Sequence, residues 1–309
     1  MKPQRSVREH SVAELCAKLG LDPAGLPSSP LKAPRRPIVG VSGATATKLY
    51  ELQYIIDVIA SYTCNINRGR VARGKEKFEP FVAIGLSAGM GAYLHDNEPH
   101  VGSPLLLLEA LERRALQYRM LLVDREPPVV QLLKQNLDIA MRTLRADSSR
   151  IDVLEAEFTS AEGWIRRNVK PKMLGMMVID IDDLFGTPGL RVIGQRPELA
   201  RVDVLIHVPG TLAKWPRRLE PLATIDEVLS WFGKKYWQVA KARGNFQWLW
   251  CYGTNNPSMR VLRQRDFVDA TTADGQARLK TVRFTNSERK LQIQPPLPGV
   301  DWGLARVAG

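Results

Sequence analysis

Five apolar runs of strand length punctuate the first two-thirds of the chain: FVAIGL before Ser87, YRMLLVD ending at Asp124, RIDVLEAEF, MLGMMVIDI, and VDVLIHVP. Between them apolar residues recur at helical spacing. Leu49, Leu52, Ile56 and Ile59 predict a helix over 47–62, and Val130, Leu133, Leu137 and Met141 or Leu144 predict another after Pro127-Pro128. Ser103-Pro104 opens LLLLEALERRALQ with a serine cap and a proline in the first turn, and TSAEGWIRRNV supplies one more helix. Repeated strand–helix alternation gives parallel strands joined by right-handed crossovers, so the expected class is α/β, a mostly parallel doubly wound sheet.

Each apolar run ends in a small or polar group: Gly89 and Gly91, Asp124, Glu155 or Glu157, Asp180 with Asp182 and Asp183, and His207. In a parallel sheet these ends share the carboxyl edge, where ligands bind. The turn Ser87-Ala88-Gly89-Met90-Gly91 lets backbone N–H groups approach a nucleotide-like ligand, which makes Ser87, Ala88, Gly89 and Gly91 candidates for cofactor binding. Asp124 can accept both ribose hydroxyls of a nucleoside lying over that turn, and Glu157 sits on the same rim. Asp180 and Asp183 can accept hydrogen bonds from a substrate amine, act as a base, or bind a hard cation; no further oxygen ligands are identifiable, so no metal site is assigned. His207 can serve as acid or base. Each has a plainer reading: an exposed strand-end aspartate, a solvated acidic loop, a structural histidine.

The flanks differ in character. Residues 1–40 read as one short helix, with capping-box spacing at Ser11 and Glu14, then a tether punctuated by Pro23, Pro27, Pro30, Pro34 and Pro37. The main domain spans 41–290, with a tail over 291–309. Just before the first strand, NINRGRVARGKEK reads as a basic loop carrying Arg68, Arg70, Arg73, Lys75 and Lys77, a candidate nucleic-acid contact by its nearness to the glycine turn. Beyond Pro209 fall six of the seven tryptophans. A helix is expected over 225–240, a strand at FQWLWCYG and a turn at Thr254-Asn255-Asn256-Pro257. Tryptophans at such spacing read first as core, and second as stacking platforms for bases.

The chain of 309 residues carries a formal charge of +12, which makes an anionic partner such as nucleic acid plausible. No run approaches the ~18 apolar residues of a membrane span, and the cytoplasm is the expected location. Cys16, Cys64 and Cys251 lack disulfide or zinc spacing. The sequence has no P-loop, GxSxG, HExxH or kinase motif.

Over roughly residues 45–290 the chain resembles the three-Cys-motif partner family, which has a class I S-adenosylmethionine methyltransferase-like fold. The family's DLFAGPGR and GSPL look like Gly85 to Gly91 and Gly102 to Leu105 here. Its DPFG looks like Asp183 to Gly186, its DvLInFp strand like Asp203 to Pro209, and its FQWTxxxGTNxP segment like Phe246 to Trp248 and Gly253 to Pro257. Gly85 stands where the family has an acid, Met90 and Leu184 where it has prolines. The resemblance implies a Rossmann-like methyltransferase fold, S-adenosylmethionine at Ala88 to Gly91 and Asp124, and a small cysteine-motif protein partner. Two readings stand side by side. One is a methyltransferase-like protein modifying a nucleic acid or nucleic-acid-associated substrate, with Asp180, Asp183 and His207 lining the acceptor pocket. The other is a non-catalytic module that uses the same fold to bind nucleic acid or a partner protein.

Overall fold

The apolar runs form the middle of an eight-stranded sheet. The computed structural model describes residues 12–28, 45–95, 97–180, 188–208, 225–242, 248–258, 262 and 266–283. The central strand is β1 (Phe81–Leu86), all six of whose residues are buried, as expected for a strand covered on both faces. Two hairpin strands follow it, β2 (Ala92–His95) and β3 (Glu98–Val101). The sheet continues with β4 (Tyr118–Asp124), β5 (Ile151–Glu155), β6 (Gly175–Ile179), β7 (Val202–Val208), β8 (Tyr236–Val239), β9 (Leu249–Thr254) and β10 (Val268–Asp269). The strand order is β10-β8-β9-β7-β6-β1-β4-β5. Strands β1, β4, β5, β6 and β7 are parallel, whereas β9 runs antiparallel between β7 and β8.

From β1 the chain builds outward through β4 and β5, then returns to the other side of β1 with β6 and β7. The winding direction reverses there, so the end of β1 lies at a topological switch point, where an open α/β sheet leaves a crevice for a ligand.

Alternating residues of the strands feed two cores. Phe81, Ala83, Met120, Leu122, Met176 and Val178 pack under α1 (Val12–Leu19), α2 (Thr45–Val71), α3 (Ser103–Arg113) and α4 (Pro127–Leu144). Val82, Ile84, Leu121, Val123, Met177 and Val204 face the opposite layer of α5 (Ala161–Asn168), α6 (Pro188–Gly194), α7 (Ile225–Trp231) and α8 (Ala273–Arg283). The period of two along a pleated strand divides the side chains between the layers.

Helix α2 extends well past the expected end at residue 62. Its 27 residues span ~40 Å at 1.5 Å per residue, enough to cross the whole sheet face. Leu52, Ile55, Ile56 and Ile59 seat it. The buried Asp57 pairs with Arg113 of α3, whose Nε lies 2.8 Å from Glu109 Oε1. Arg68 and Arg70 complement the negative end of the dipole in its last turn.

The segment after the glycine turn forms the β2–β3 hairpin. One other expectation changes. The helix expected over 225–240 is a short helix followed by a strand: Gly233, at φ 54, ends α7 and β8 begins at Tyr236. Helix α1 is docked on the domain, with Leu15, Cys16 and Leu19 buried. It ends at Gly20, φ 68, where the Leu21 N–H donates to the Cys16 carbonyl at 3.0 Å.

Candidate functional site

Beyond Leu86 the chain makes a turn that needs left-handed backbone three times, at Ser87 (φ 56), Gly89 (φ 68) and Gly91 (φ 81). Glycine adopts this freely; serine does so at a cost, so the surroundings must hold it. They do so at several points. The Ala88 N–H donates to the Val123 carbonyl at 2.9 Å, and the Gly102 N–H to the Gly91 carbonyl at 2.6 Å. Asn136, buried on α4, donates through Nδ2 to the carbonyls of Met90 and Ala92 at 2.8 and 3.2 Å. Met90 is sunk against Tyr93 and Val129, so its packing helps fix the turn.

Asp124, at the end of β4, closes the other side. Its Oδ2 accepts the Gly89 N–H at 2.9 Å and its Oδ1 accepts the Glu126 N–H at 3.2 Å. An ionised carboxylate offers about four lone-pair sites, so acceptor capacity remains for a ligand hydroxyl. A side chain built at Gly91 would meet Leu133 at 3.2 Å, whereas one at Gly89 would meet nothing within 4 Å. The backbone is therefore open to a ligand at the position beside Asp124.

The second cluster is centred on Asp180, just past β6, whose N–H donates to the Leu86 carbonyl at 3.3 Å. Its Oδ1 lies 2.8 Å from His207 Nδ1 and its Oδ2 accepts from Lys48 Nζ at 2.7 Å. Burial pushes the carboxyl up, but the Lys48 and His207 charges and their hydrogen bonds outweigh it and hold Asp180 well below the usual carboxylate range. Burial first, and then the Asp180 charge, push the Tyr93 hydroxyl up. His207 sits on β7 directly opposite Trp250 of β9, and its ring centroid is 5.1 Å from that of Trp250 and 5.7 Å from that of Trp248. Tyr93 stacks on His100 across the hairpin at 5.5 Å.

Chemically, a carboxylate at Nδ1 orients the ring so that its neutral form carries the proton on Nδ1 and has Nε2 as the basic nitrogen. Lys48 keeps the carboxylate anionic.

The structure brings Ser87, Ala88, Gly89, Gly91 and Asp124 together in one patch and Asp180 with His207 in the next. Asp182 and Asp183 lie outside the described residues. Glu157 is exposed past the end of β5, its Oε1 3.5 Å from Arg125 Nη1. The expectation that the basic segment flanks the glycine turn is corrected. Arg68 and Arg70 belong to α2, while Arg73, Lys75 and Lys77 precede β1, so they stand at the amino edge, about 20 Å away along a six-residue strand. Sequence reasoning missed Lys48, because a polar residue near the start of an amphipathic helix carries no mark of its partner 132 residues away.

No family model matches the chain, and no curated protein matches it in sequence. Among solved structures it is similar to a SAM-dependent methyltransferase from Agrobacterium tumefaciens, at 10% identity and a TM-score of 0.39, covering 73% of this chain and 66% of that one. It is similar to a human methyltransferase 10 domain containing protein at 10% identity and a TM-score of 0.38, covering 79% and 94%. A third similar structure is M. jannaschii TYW2 in complex with AdoMet, at 9% identity and a TM-score of 0.37, covering 70% and 77%. Among the described residues no helix is long and apolar enough to cross a membrane, and no group of three or more His, Cys, Asp or Glu residues is placed to hold a metal ion.

Proposed function

We propose that this protein is an S-adenosylmethionine-dependent methyltransferase, with the cofactor lying over Ser87 to Gly91 and Asp124 and the acceptor against Asp180 and His207. The observation that carries the reading is the join between Gly89 and Asp124 at the switch point of the sheet: an open glycine backbone beside a carboxylate with spare acceptor sites. Asp124 would take the ribose hydroxyls and the turn would support the rest of the nucleoside. When bound, the cofactor supplies an electrophilic methyl group. The chain's own task is to place the acceptor in line and take its proton, with His207 Nε2 as the base, Asp180 as its orienter and Lys48 holding the charge of Asp180. The basic composition favours a nucleic acid or nucleic-acid-associated substrate over a small aliphatic one. The motif resemblance supports the same family reading, including a small cysteine-motif partner.

One observation favours the non-catalytic alternative. Gly85 stands where the family carries an acid, so the amino-acid end of the cofactor lacks that contact. Calorimetric titration separates the readings. S-adenosylmethionine should bind the parent, and Asp124→Ala should weaken it by about tenfold or more, the worth of one or two hydrogen bonds to a charged acceptor. No heat and no thermal shift at millimolar ligand would remove the methyltransferase reading.

A further inference from the structure

The edge of the sheet opposite the candidate site carries a different chemistry. Five segments meet there: the loops entering β1, β6, β7 and β8, and the turn leaving β9. Together with the end of α2 they contain eleven Lys or Arg against three acids. Two of the three are engaged: Glu79 lies 3.4 Å from Lys77, and Glu198 lies 2.7 Å from Arg196. Arg73, Lys75, Lys170, Lys172, Arg201 and Lys235 are exposed, and none of them has an ion-pair partner among the described residues.

The segments are tied into one surface. The guanidiniums of Arg70, at the end of α2, and Arg201, just before β7, both lie over the Phe78 ring, at 3.9 and 5.3 Å from its centroid. The Phe78 N–H donates to Asn67 Oδ1 at 2.8 Å, Asn255 Nδ2 donates to the Ala200 carbonyl at 2.9 Å, and the Lys235 N–H donates to Asn255 Oδ1 at 2.7 Å. Asn256 Nδ2 reaches Tyr62 of α2 at 2.8 Å.

Helices in this fold end at this edge, and arginines in their last turns need no other explanation than the dipole. That account covers Arg68 and Arg70. It does not cover Arg73, Lys75, Lys170, Lys172 or Lys235, which lie in connecting segments beyond the helix ends. From β1 to β8 the surface crosses four inter-strand gaps, ~19 Å at ~4.8 Å each. That is the run of about five or six phosphates at 3.4 Å per nucleotide.

We infer that the amino edge of the sheet, from the α2–β1 loop to Lys235, is a docking surface for the phosphodiester backbone of a nucleic acid, separate from the carboxyl-edge site. It reads charge and not sequence, and both can be occupied together. The inference stands whether or not the cofactor binds.

The test is fluorescence anisotropy on the full chain with labelled 20-nucleotide duplex DNA, duplex RNA and single-stranded RNA, which distinguishes the sources of the phosphates. With five phosphates engaged, raising salt from 50 to 200 mM should weaken duplex DNA binding about 500-fold and single-strand binding about 100-fold. The triple variant Lys75→Glu/Lys170→Glu/Lys235→Glu should lose more than tenfold in affinity at 50 mM salt and flatten the salt slope by about three phosphates' worth. Its S-adenosylmethionine titration should match the parent's. If its melting point falls, the Lys→Gln triple serves instead, with a smaller loss in the same direction. Absence of binding at 50 mM salt, or a variant that keeps the parent's affinity and slope, overturns the inference. Displacement of the nucleic acid by poly-glutamate at equal charge concentration would overturn it in favour of an acidic protein.

Discussion

Asp203 on β7 offers a stability test whose size follows from the structure. Its carboxylate accepts the Tyr252 and Thr254 hydroxyls at 2.6 Å each, close to Lys234, whose ammonium donates to the Leu199 carbonyl at 2.6 Å. Burial pushes the Asp203 carboxyl up to about 6 against the two hydrogen bonds and the Lys234 charge; burial likewise brings Lys234 down to about 8. The folded state therefore holds the Asp203 proton more tightly than the unfolded chain does. Between the two pKa values the folded state binds more protons, so this group's contribution to stability falls as pH rises. With an unfolded value near the ordinary 3.8, linkage gives a loss of about 2 kcal/mol between pH 4.5 and pH 7. Asp203→Asn keeps the shape and can still accept a hydroxyl, but it does not titrate. Urea unfolding of parent and variant at half-unit steps over that range should show the parent losing about 2 kcal/mol relative to the variant as pH rises. A difference that stays flat within about 0.5 kcal/mol, or grows in the parent's favour, refutes the reasoning.

Two further outcomes follow from the carboxyl edge. Lys48→Met removes the nearest charge holding Asp180 down, so the stability that Asp180 contributes should be lost at higher pH on acidification; far-ultraviolet circular dichroism over pH 3–7 should show the acid midpoint displaced upward, and an unmoved midpoint counts against the ion pair. Asn136→Ala leaves the Met90 and Ala92 carbonyls without their buried donor and should cost about 1–3 kcal/mol in chemical denaturation, together with weaker S-adenosylmethionine binding; full stability with unchanged binding would show that the turn is held by other contacts.

The sequence by itself determined the strands, the handed alternation that makes them parallel, and hence the shared edge on which Gly89, Asp124, Asp180 and His207 meet. These follow from period-two and period-3.6 burial and from the handedness of crossovers, which are local rules. What failed was also local in origin. Val228, Leu229, Phe232, Tyr236 and Val239 continue a helical spacing across Gly233, and only its left-handed backbone separates helix from strand. The segment Ala92 to Val101 pairs as a hairpin although its polar residues hide the alternation.

The tertiary structure decided the rest, because it depends on contacts between residues far apart in the chain. Strand β9 reverses between β7 and β8, and Gly253 supplies the space for it: a side chain there would meet the Trp237 ring at 2.6 Å. Helix α2, held on the sheet by its packed face and the Asp57–Arg113 pair, carries Lys48 to Asp180 at one end and the arginines to the opposite edge at the other. A charge count could say that the protein is basic. Only the direction of a long helix across the sheet placed the arginines of its last turn about 20 Å from the glycine turn, and Lys48, near its start, inside the site.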